Sequence, residues 1–291
     1  PNIAARSLVT QRTRVIGIYI PYFVSDVFAD PYFPILMQAA TTQANEQDYD
    51  VMLWLRGQNI TPTYLHRRVL DNRLTDGIIL TSTPRGDSLP DELLERGRVF
   101  ILNGLPWRHS DQTNYVDAAN RQGAHQAVEH LVRLGRRRIA HISGKLDVSS
   151  GYERLLGYRE VLQQSGLPIQ PELECEGDFT DTSGYLGMRR LLQYRPDAVF
   201  IASDRMALGA LRALREAGLR VPDDVAIVGF DDMPFATLAE PQLTTIRQPV
   251  QRLGALAAEG LIGLIEGTID APYQVTLPTQ LVIRESCGFP A

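Results

Sequence analysis

The chain has 291 residues, 44% of them hydrophobic and 22% charged, and its formal net charge is −5. This composition is that of a globular protein that can bury one large core or two linked ones, and it argues against nucleic-acid binding by the bulk of the chain. No apolar run reaches membrane-spanning length, the N-terminus carries no apolar secretory signal, and two cysteines cannot form a disulfide framework.

Short β-branched and apolar runs recur along the chain, and most are followed by a helical pattern. In chain order the predicted strands are residues 15–20, 51–55, 77–80, 99–103, 138–143, 198–202 and 225–229. Alternation of strand and helix predicts parallel sheets with helices on both faces. The strands are continuously apolar, which is typical of sheets buried on both sides.

Apolar residues at three-and-four spacing predict the helices. The main stripes lie within residues 35–40, 124–134, 206–214 and 253–264, and Gly135 marks the end of the second. Most of these stripes are expected to be core. Two successive sets of strand and helix fit an α/β protein of two doubly wound lobes, whose ligands would lie beyond the carboxyl ends of the strands.

Motifs for nucleotide chemistry or hydrolysis are not found. The loop after the first strand reads Ile20-Pro21-Tyr22-Phe23 rather than a glycine-rich phosphate loop, and the sequence contains neither a Walker motif nor a Gly-x-Ser-x-Gly elbow. The five histidines include no pair at metal-binding helical spacing. We therefore expect no enzyme, no catalytic residue, no cofactor and no metal.

Asp231 and Asp232 follow an apolar strand that ends in Gly229-Phe230. They could form an acid/base pair, but adjacent residues at a strand end point in different directions. We expect Asp231 to bind a ligand by hydrogen bonds and Asp232 to cap or pair locally. Structural turn chemistry for Asp231 is the main alternative.

Several segments together resemble the effector-binding region of the LacI/GalR family of transcriptional repressors. They are the hinge-like Pro1 to Leu8, Val128-Glu129-His130-Leu131 to Gly135, Arg154-Leu155-x-Gly157-Tyr158, Ser203-Asp204-Arg205-Met206 to Gly209, Val221-Pro222-Asp223-Asp224-Val225 to Asp232, Leu243-Thr244-Thr245-Ile246 to Pro249, and Leu277-Pro278-Thr279 to Ser286. The resemblance spans nearly the whole chain in order. Nothing precedes Pro1, so we expect a repressor without its helix-turn-helix headpiece.

The resemblance implies a fold like that of a type I periplasmic binding protein, with two lobes joined by three crossovers. Residues 1–13 would be the remnant of the hinge helix and linker. The N-terminal lobe would comprise 14–115 plus 247–275, and the C-terminal lobe 116–246 plus 276–288. A small-molecule effector would be bound in the interlobe cleft.

Eight positions match ligand contacts of the family: Tyr32, Phe33, Asn103, Ser150, Arg154, Ser203, Asp231 and Gln248. Sugar binding needs polar groups for the hydroxyls and aromatic planes for the ring faces, and this set supplies both. For Tyr32 and Phe33 the alternative is core packing, and for Arg154 it is a buried ion pair that supports the fold. Ser203 departs from the asparagine of many relatives, so the ligand can differ.

The hinge-like segment carries the predicted DNA contacts. Leu8 matches the family's leucine that is inserted into the minor groove, and Arg6 adds positive charge beside it. The resemblance implies a cytoplasmic homodimer that binds operator DNA through the headpiece and hinge. The first-lobe stripes at 35–44 and 253–264 are candidates for the twofold contact.

The function implied is therefore that of the sensing domain of a repressor, which binds a small molecule, expected to be a sugar, and allosterically controls operator binding. A periplasmic sugar-binding receptor of a transport system is the first alternative, because it shares the fold. An enzyme with a flavodoxin-like or Rossmann-like fold is the second. The identity of the effector, with purines as a further class, stays open.

Overall fold

The computed structural model of the protein describes residues 12–289. Among these residues, contacts divide the chain into two compact units. Unit 1 comprises the residues up to Asp117 together with Val250–Leu277, and unit 2 comprises Ala118–Pro249 together with the residues from Pro278 onward. The chain therefore passes from one unit to the other three times.

The described residues form twelve β-strands and nine α-helices. The strands are β1 (Val15–Phe23), β2 (Asp50–Arg56), β3 (Gly77–Thr81), β4 (Phe100–Asn103), β5 (Tyr115–Ala118), β6 (Ile139–Ser143), β7 (Glu174–Glu176), β8 (Ala198–Ile201), β9 (Ala226–Asp231), β10 (Thr245–Arg247), β11 (Gln274–Leu277) and β12 (Gln280–Val282). The helices are α1 (Val24–Ala29), α2 (Tyr32–Asn45), α3 (Pro62–Leu70), α4 (Leu89–Glu95), α5 (Asn120–Arg133), α6 (Ser149–Gln164), α7 (Asp181–Leu191), α8 (Asp204–Glu216) and α9 (Val250–Glu266).

The strands form one six-stranded sheet in each unit. The order is β11-β5-β4-β3-β1-β2 in the first sheet and β12-β10-β9-β8-β6-β7 in the second. The inner pairs are parallel, and β12 joins β10 in antiparallel orientation. The predicted α/β fold of two doubly wound sheets is confirmed.

The sheet of unit 2 is covered by helices on both faces. One face packs against α7 and α8 through a cluster that includes Val199, Met206 and Leu214. The other packs against α5 and α6 through Ala127, Leu155 and Phe200 among others. All residues of β8 and β9 are buried, which explains why their sequences are apolar without alternation.

Unit 1 repeats this layering. A cluster that includes Leu65, Leu80 and Leu93 buries one face of its sheet against α3 and α4. Helices α2 and α9 cross so closely that a Cβ atom added at Gly254 would lie 2.3 Å from the carbonyl oxygen of Leu36. Most apolar residues of the stripes at 35–44 and 253–264 are therefore buried inside unit 1.

The strand order reverses between β1 and β3 in one sheet and between β6 and β8 in the other. In open parallel sheets this reversal creates a crevice beyond the carboxyl ends of the strands, where ligands bind. In unit 2 this edge carries the residues that end or directly follow β8, β9 and β10. In unit 1 it carries Asn103, the last residue of β4.

Candidate functional site

Arg154 projects from α6 to the carboxyl edge of the unit 2 sheet. Its side chain is buried, with 3% of the residue exposed. Its Nε atom donates a hydrogen bond of 2.9 Å to Oδ1 of Asn120, and its Nη1 atom donates to the carbonyl oxygen of Ala202. The guanidinium also lies over the Phe230 ring, 3.7 Å from its centroid. The cation is thus held in one orientation by groups from α5, from β9 and from the residue that directly follows β8.

Asp231 ends β9 beside this cation. Its Oδ1 atom lies 3.5 Å from Nη1 of Arg154 and accepts a hydrogen bond of 2.5 Å from Nε2 of Gln248. The structure thereby brings together three of the predicted ligand contacts, a guanidinium, a carboxylate and an amide. All three residues are buried.

Asp232 points away from Asp231, as predicted for adjacent residues at a strand end. Its Oδ2 atom accepts a hydrogen bond from Nε of Arg247 at 2.7 Å, and its Oδ1 atom accepts one from Nη2 of Arg284 at 2.6 Å. The two carboxylates therefore have different partners and are not arranged as an acid/base pair.

The two predicted serines lie at helix starts in unit 2. Ser203 is the N-cap of α8, where its Oγ atom accepts a hydrogen bond from the Met206 amide at 3.2 Å. Ser203 directly follows Ala202, whose carbonyl holds Arg154. Ser150 is half-buried in the first turn of α6, one helical turn before Arg154 as predicted.

Unit 1 carries a second, smaller polar group. The Tyr32 hydroxyl, at the start of α2, donates a hydrogen bond of 3.0 Å to Oδ1 of Asn103. The amide of Asn103 in turn donates to the carbonyl oxygen of Val116 at 3.5 Å. Asn103 is buried at the end of β4, and Tyr32 is half-buried.

Phe33 is buried in unit 1 and makes edge-on contact with Tyr32, with ring centroids 5.3 Å apart. Its ring also lies 5.6 Å from that of Tyr22. This environment fits the core-packing alternative for Phe33. A role of Tyr32 or Phe33 in stacking on a ligand stays a prediction.

A metal site and a membrane span were both sought among residues 12–289. That part of the chain contains no group of three or more histidine, cysteine, aspartate or glutamate side chains that could hold a metal ion. None of its helices is both long enough and apolar enough to cross a membrane.

Sequence comparison decides the family. Residues 128–287 match the model of a periplasmic binding protein-like domain. Over 292 aligned residues the chain is 39% identical to the HTH-type transcriptional regulator CelR of Thermobifida fusca, covering 98% of this chain and 85% of that protein. The chain belongs to the LacI family of transcriptional regulators.

Solved structures of the family agree with this assignment. A complex of the transcriptional regulator CelR with cellobiose superposes with a TM-score of 0.90 at 36% identity, covering 97% of this chain and 89% of that one. The lac repressor dimer bound to operator and the anti-inducer ONPF gives a TM-score of 0.85 at 26% identity, with 98% of each chain covered. The predicted family is thus confirmed, and its members named here are regulators rather than enzymes.

The LacI-family residues predicted to contact DNA, Arg6 and Leu8, lie outside the described residues. Within them, sequence reasoning missed two side chains of the unit 2 site. Asn120 accepts a hydrogen bond from Arg154, and nothing in its local sequence distinguishes it from an ordinary polar residue at a helix start. Asp204 lies in a segment that resembles the family, but its local sequence predicts no role for it in the site.

Asp204 is fully buried, and its carboxyl group forms hydrogen bonds with residues next to the Asp231 segment. One carboxyl oxygen accepts a hydrogen bond from the Thr245 hydroxyl at 2.5 Å, and the other accepts one from the Met233 amide at 2.9 Å. Burial, and then the charge of Asp231, raise the pKa of the Asp204 carboxyl well above its usual range.

Proposed function

We propose that this chain senses a saccharide for a transcriptional repressor and that the unit 2 cluster of Arg154, Asp231 and Gln248 binds the sugar hydroxyls. The observation that carries the proposal is the meeting of these three side chains at the carboxyl edge of the sheet. A guanidinium can donate to two hydroxyls, a carboxylate can accept from two, and an amide does both.

The similarity to a CelR–cellobiose complex supports a β-linked glucose disaccharide as the first effector to test. Asn103 and Tyr32 of unit 1 present an amide and a phenol that suit the same ligand class. Ser150 and Ser203 would add hydroxyl contacts. Since these assignments come from the family resemblance, each is a contact for mutagenesis to test.

We infer that the sugar is bound and released unchanged. Asp232 is held by two arginines and Asp204 is fully buried, so neither stands ready beside Asp231 as the second carboxylate that glycoside hydrolysis requires. The named relatives are regulators, which favours the same interpretation. Incubation of the pure protein with cellobiose should leave the disaccharide intact by chromatography.

The regulatory mechanism we propose is a population shift. The effector binds one conformation of the protein better than another, and this difference in affinity changes the affinity for operator DNA. The protein would act in the cytoplasm as a homodimer, as the dimeric lac repressor bound to operator suggests. Arg6 and Leu8 stay predicted DNA contacts. The relatives favour this function over that of a transport receptor.

A thermal-shift titration tests the effector class. Cellobiose, glucose, ribose and a purine are each added to the whole chain over a wide concentration range. A ligand at a hundredfold its dissociation constant stabilises the folded protein by about 2.7 kcal/mol. Stabilisation by a saccharide supports the proposal, and stabilisation by the purine alone overturns the saccharide assignment.

Two matched variants tie the effect to the site. In Asp231→Asn the carboxylate charge is lost while the shape is kept, so the ligand-induced shift should fall to a small fraction of that of the wild type. In Asp224→Asn the same exchange removes an exposed carboxylate that pairs with Arg220 elsewhere in unit 2, and the shift should be retained. Equal shifts in both variants would remove Asp231 from the site.

A further inference from the structure

The backbone at the end of β9 adopts an unusual conformation. Asp231 has a φ angle of 116° and Asp232 has a φ angle of 58°, both in the left-handed region that residues with a side chain rarely adopt. Two such residues in succession persist only where the surrounding structure holds them. Because Asp231 is the proposed effector carboxylate, what holds this segment also sets the geometry of the site.

The side chain of Asp232 is held by two arginines. Its side chain is 8% exposed, and each carboxylate oxygen accepts a hydrogen bond from a different arginine, Arg247 at 2.7 Å and Arg284 at 2.6 Å. Arg284 is itself fixed, since its Nη1 atom donates to the carbonyl oxygen of Leu243 at 2.7 Å and its amide donates to the Thr244 hydroxyl.

Two side-chain hydrogen bonds, Gln248 to Asp231 and Arg247 to Asp232, connect the ends of β9 and β10. The strands are parallel, and Arg247 is the register partner of Asp231. Gln248 donates to Asp231, and the preceding residue, Arg247, donates to Asp232. Fixing Arg247 against Asp232 therefore also fixes the start of the Gln248 side chain, which reaches Asp231.

We propose that Asp232, together with Arg247 and Arg284, is a positioning residue that holds Asp231 and Gln248 in the geometry that binds the effector. The inference rests on the proposed function of Asp231. Both carboxylate oxygens of Asp232 accept hydrogen bonds from arginines, so its role is to position the neighbouring residues rather than to bind the effector.

We call Asp232, Arg247 and Arg284 the clamp. Its charges have a second effect on the site. Asp232 partly neutralises two guanidinium groups, of which Arg284 is nearly buried. Asp231 is the residue next to this carboxylate in the chain and carries the same charge. Without the Asp232 carboxylate, the two arginines would compete with Arg154 and with the effector hydroxyls for Asp231, and this competition weakens binding even if the fold is retained.

Asp232→Asn tests the clamp with little other change. Asparagine tolerates the left-handed conformation as aspartate does, so the exchange removes the charge and keeps the backbone preference. We expect the dissociation constant for the saccharide that stabilises the wild type, measured by calorimetry, to rise by about tenfold or more. Arg247→Gln, at an arginine whose side chain is 53% exposed, should raise it in the same direction by a smaller factor and provides a second variant if the first does not fold.

Glu174→Gln is the matched control. Glu174 of unit 2 is 14% exposed and accepts two hydrogen bonds from Arg159, but it lies on β7, away from Asp231. The control should lower the melting temperature slightly, because the pair it weakens is only partly buried, and should leave the dissociation constant within about twofold of the wild type. A purely structural role of Asp232 predicts the same behaviour for Asp232→Asn, and that outcome overturns the proposal.

Amide hydrogen exchange provides a readout without ligand. The Met233 amide donates to Asp204 and the Gln248 amide donates to the carbonyl oxygen of Asp231. Loss of the clamp should speed exchange of both amides by about tenfold, with no change in Glu174→Gln. If the wild type binds no saccharide, the proposed function is wrong, but the exchange rates still test whether Asp232 holds this segment in place. Unchanged exchange in Asp232→Asn and Arg247→Gln would overturn it.

Discussion

Burial of His141 makes the stability of the protein depend on pH. Its imidazole is fully buried in β6 and stacked between Tyr158 and Phe200, with ring centroids 4.9 and 4.8 Å away. Its Nδ1 atom lies 2.9 Å from the Phe200 carbonyl oxygen, which can only accept, so Nδ1 carries the hydrogen. Among the described residues Nε2 has no hydrogen-bond partner. Burial lowers the pKa of His141 from 6.5 to about 3.

This pKa predicts the pH dependence of the variant His141→Phe. Between pH 6.5 and 3 the unfolded chain binds a proton at His141 that the native protein does not, so the wild type loses stability as the pH falls. At pH 5 that loss amounts to about 2 kcal/mol. The variant lacks it but gives up a hydrogen bond worth about 1 kcal/mol. We expect His141→Phe to be less stable than the wild type at pH 7 and more stable at pH 5.

The measurement is urea unfolding of both proteins from pH 7 to pH 5, and the quantity compared is the difference in the free energy of unfolding. This difference cancels other titrating groups. The carboxyl of Asp204, with its raised pKa, has the opposite slope because the native protein keeps a proton that the unfolded chain releases above pH 3.8. A difference that does not change with pH would show that His141 is not kept neutral.

Residues of the site could be predicted from sequence where a motif supplied them, and their partners could not. Family motifs predict Arg154, Asp231 and Gln248 as ligand contacts, and the structure brings the three together. For Arg154 the proposed ligand contact and the structural role are compatible, because its guanidinium lies beside Asp231 and also contacts Asn120, Ala202 and Phe230. Asn120 and Asp204 act through tertiary contacts, which no local pattern of residues encodes.

At the scale of elements, every strand of five or more residues was predictable, whereas most of the shorter strands were not. The seven predicted strands correspond to β1, β2, β3, β4, β6, β8 and β9. The strands that were missed, β5, β7, β10, β11 and β12, have only three or four residues each. β7 reads Glu-Cys-Glu and is a strand because β6 pairs with it, so its structure depends on a neighbour far away in sequence.

The close crossing of α2 and α9 predicts the effect of Gly254→Ala. The new Cβ atom would lie 2.3 Å from the carbonyl oxygen of Leu36, a backbone atom that can move only with its helix. Despite alanine's better helix propensity, we expect the free energy of unfolding to fall by about 1–3 kcal/mol. Gly187→Ala in α7 is the control, because there the nearest atoms are side-chain atoms of Ile142 at 3.3 Å. Equal losses in both variants under chemical denaturation would contradict the backbone contact.

At the scale of the whole molecule, the alternation of strand and helix indicated parallel sheets, and the order of the strands came only from the structure. In both sheets the first strand, β1 or β6, is second from one edge, and the next strand, β2 or β7, forms that edge. The following strands are added on the other side of the first strand. Which strands pair is a non-local property, and the antiparallel β12 follows the last crossover rather than a helix. The sequence also left open which part of the stripes at 35–44 and 253–264 remains on the surface.

The surface of α2 and α9 carries the last prediction, which concerns the dimer. Leu36, Met37, Leu253 and Leu261 are buried within unit 1 and cannot form a twofold contact. A groove beside them remains accessible, lined by Ile35, Gln38, Ala39, Thr42, Gln43, Glu46, Gln251, Arg252 and Ala255.

If this face joins two copies, Ala39→Glu places a charge in a closely packed contact. Because an unpaired buried charge is costly, the variant should be a monomer in light scattering at a micromolar concentration at which the wild type is a dimer. Ala217→Glu, the same exchange at an exposed position of unit 2, should leave the dimer intact. A wild type that is monomeric, or a dimer that survives Ala39→Glu, would exclude this face as the contact.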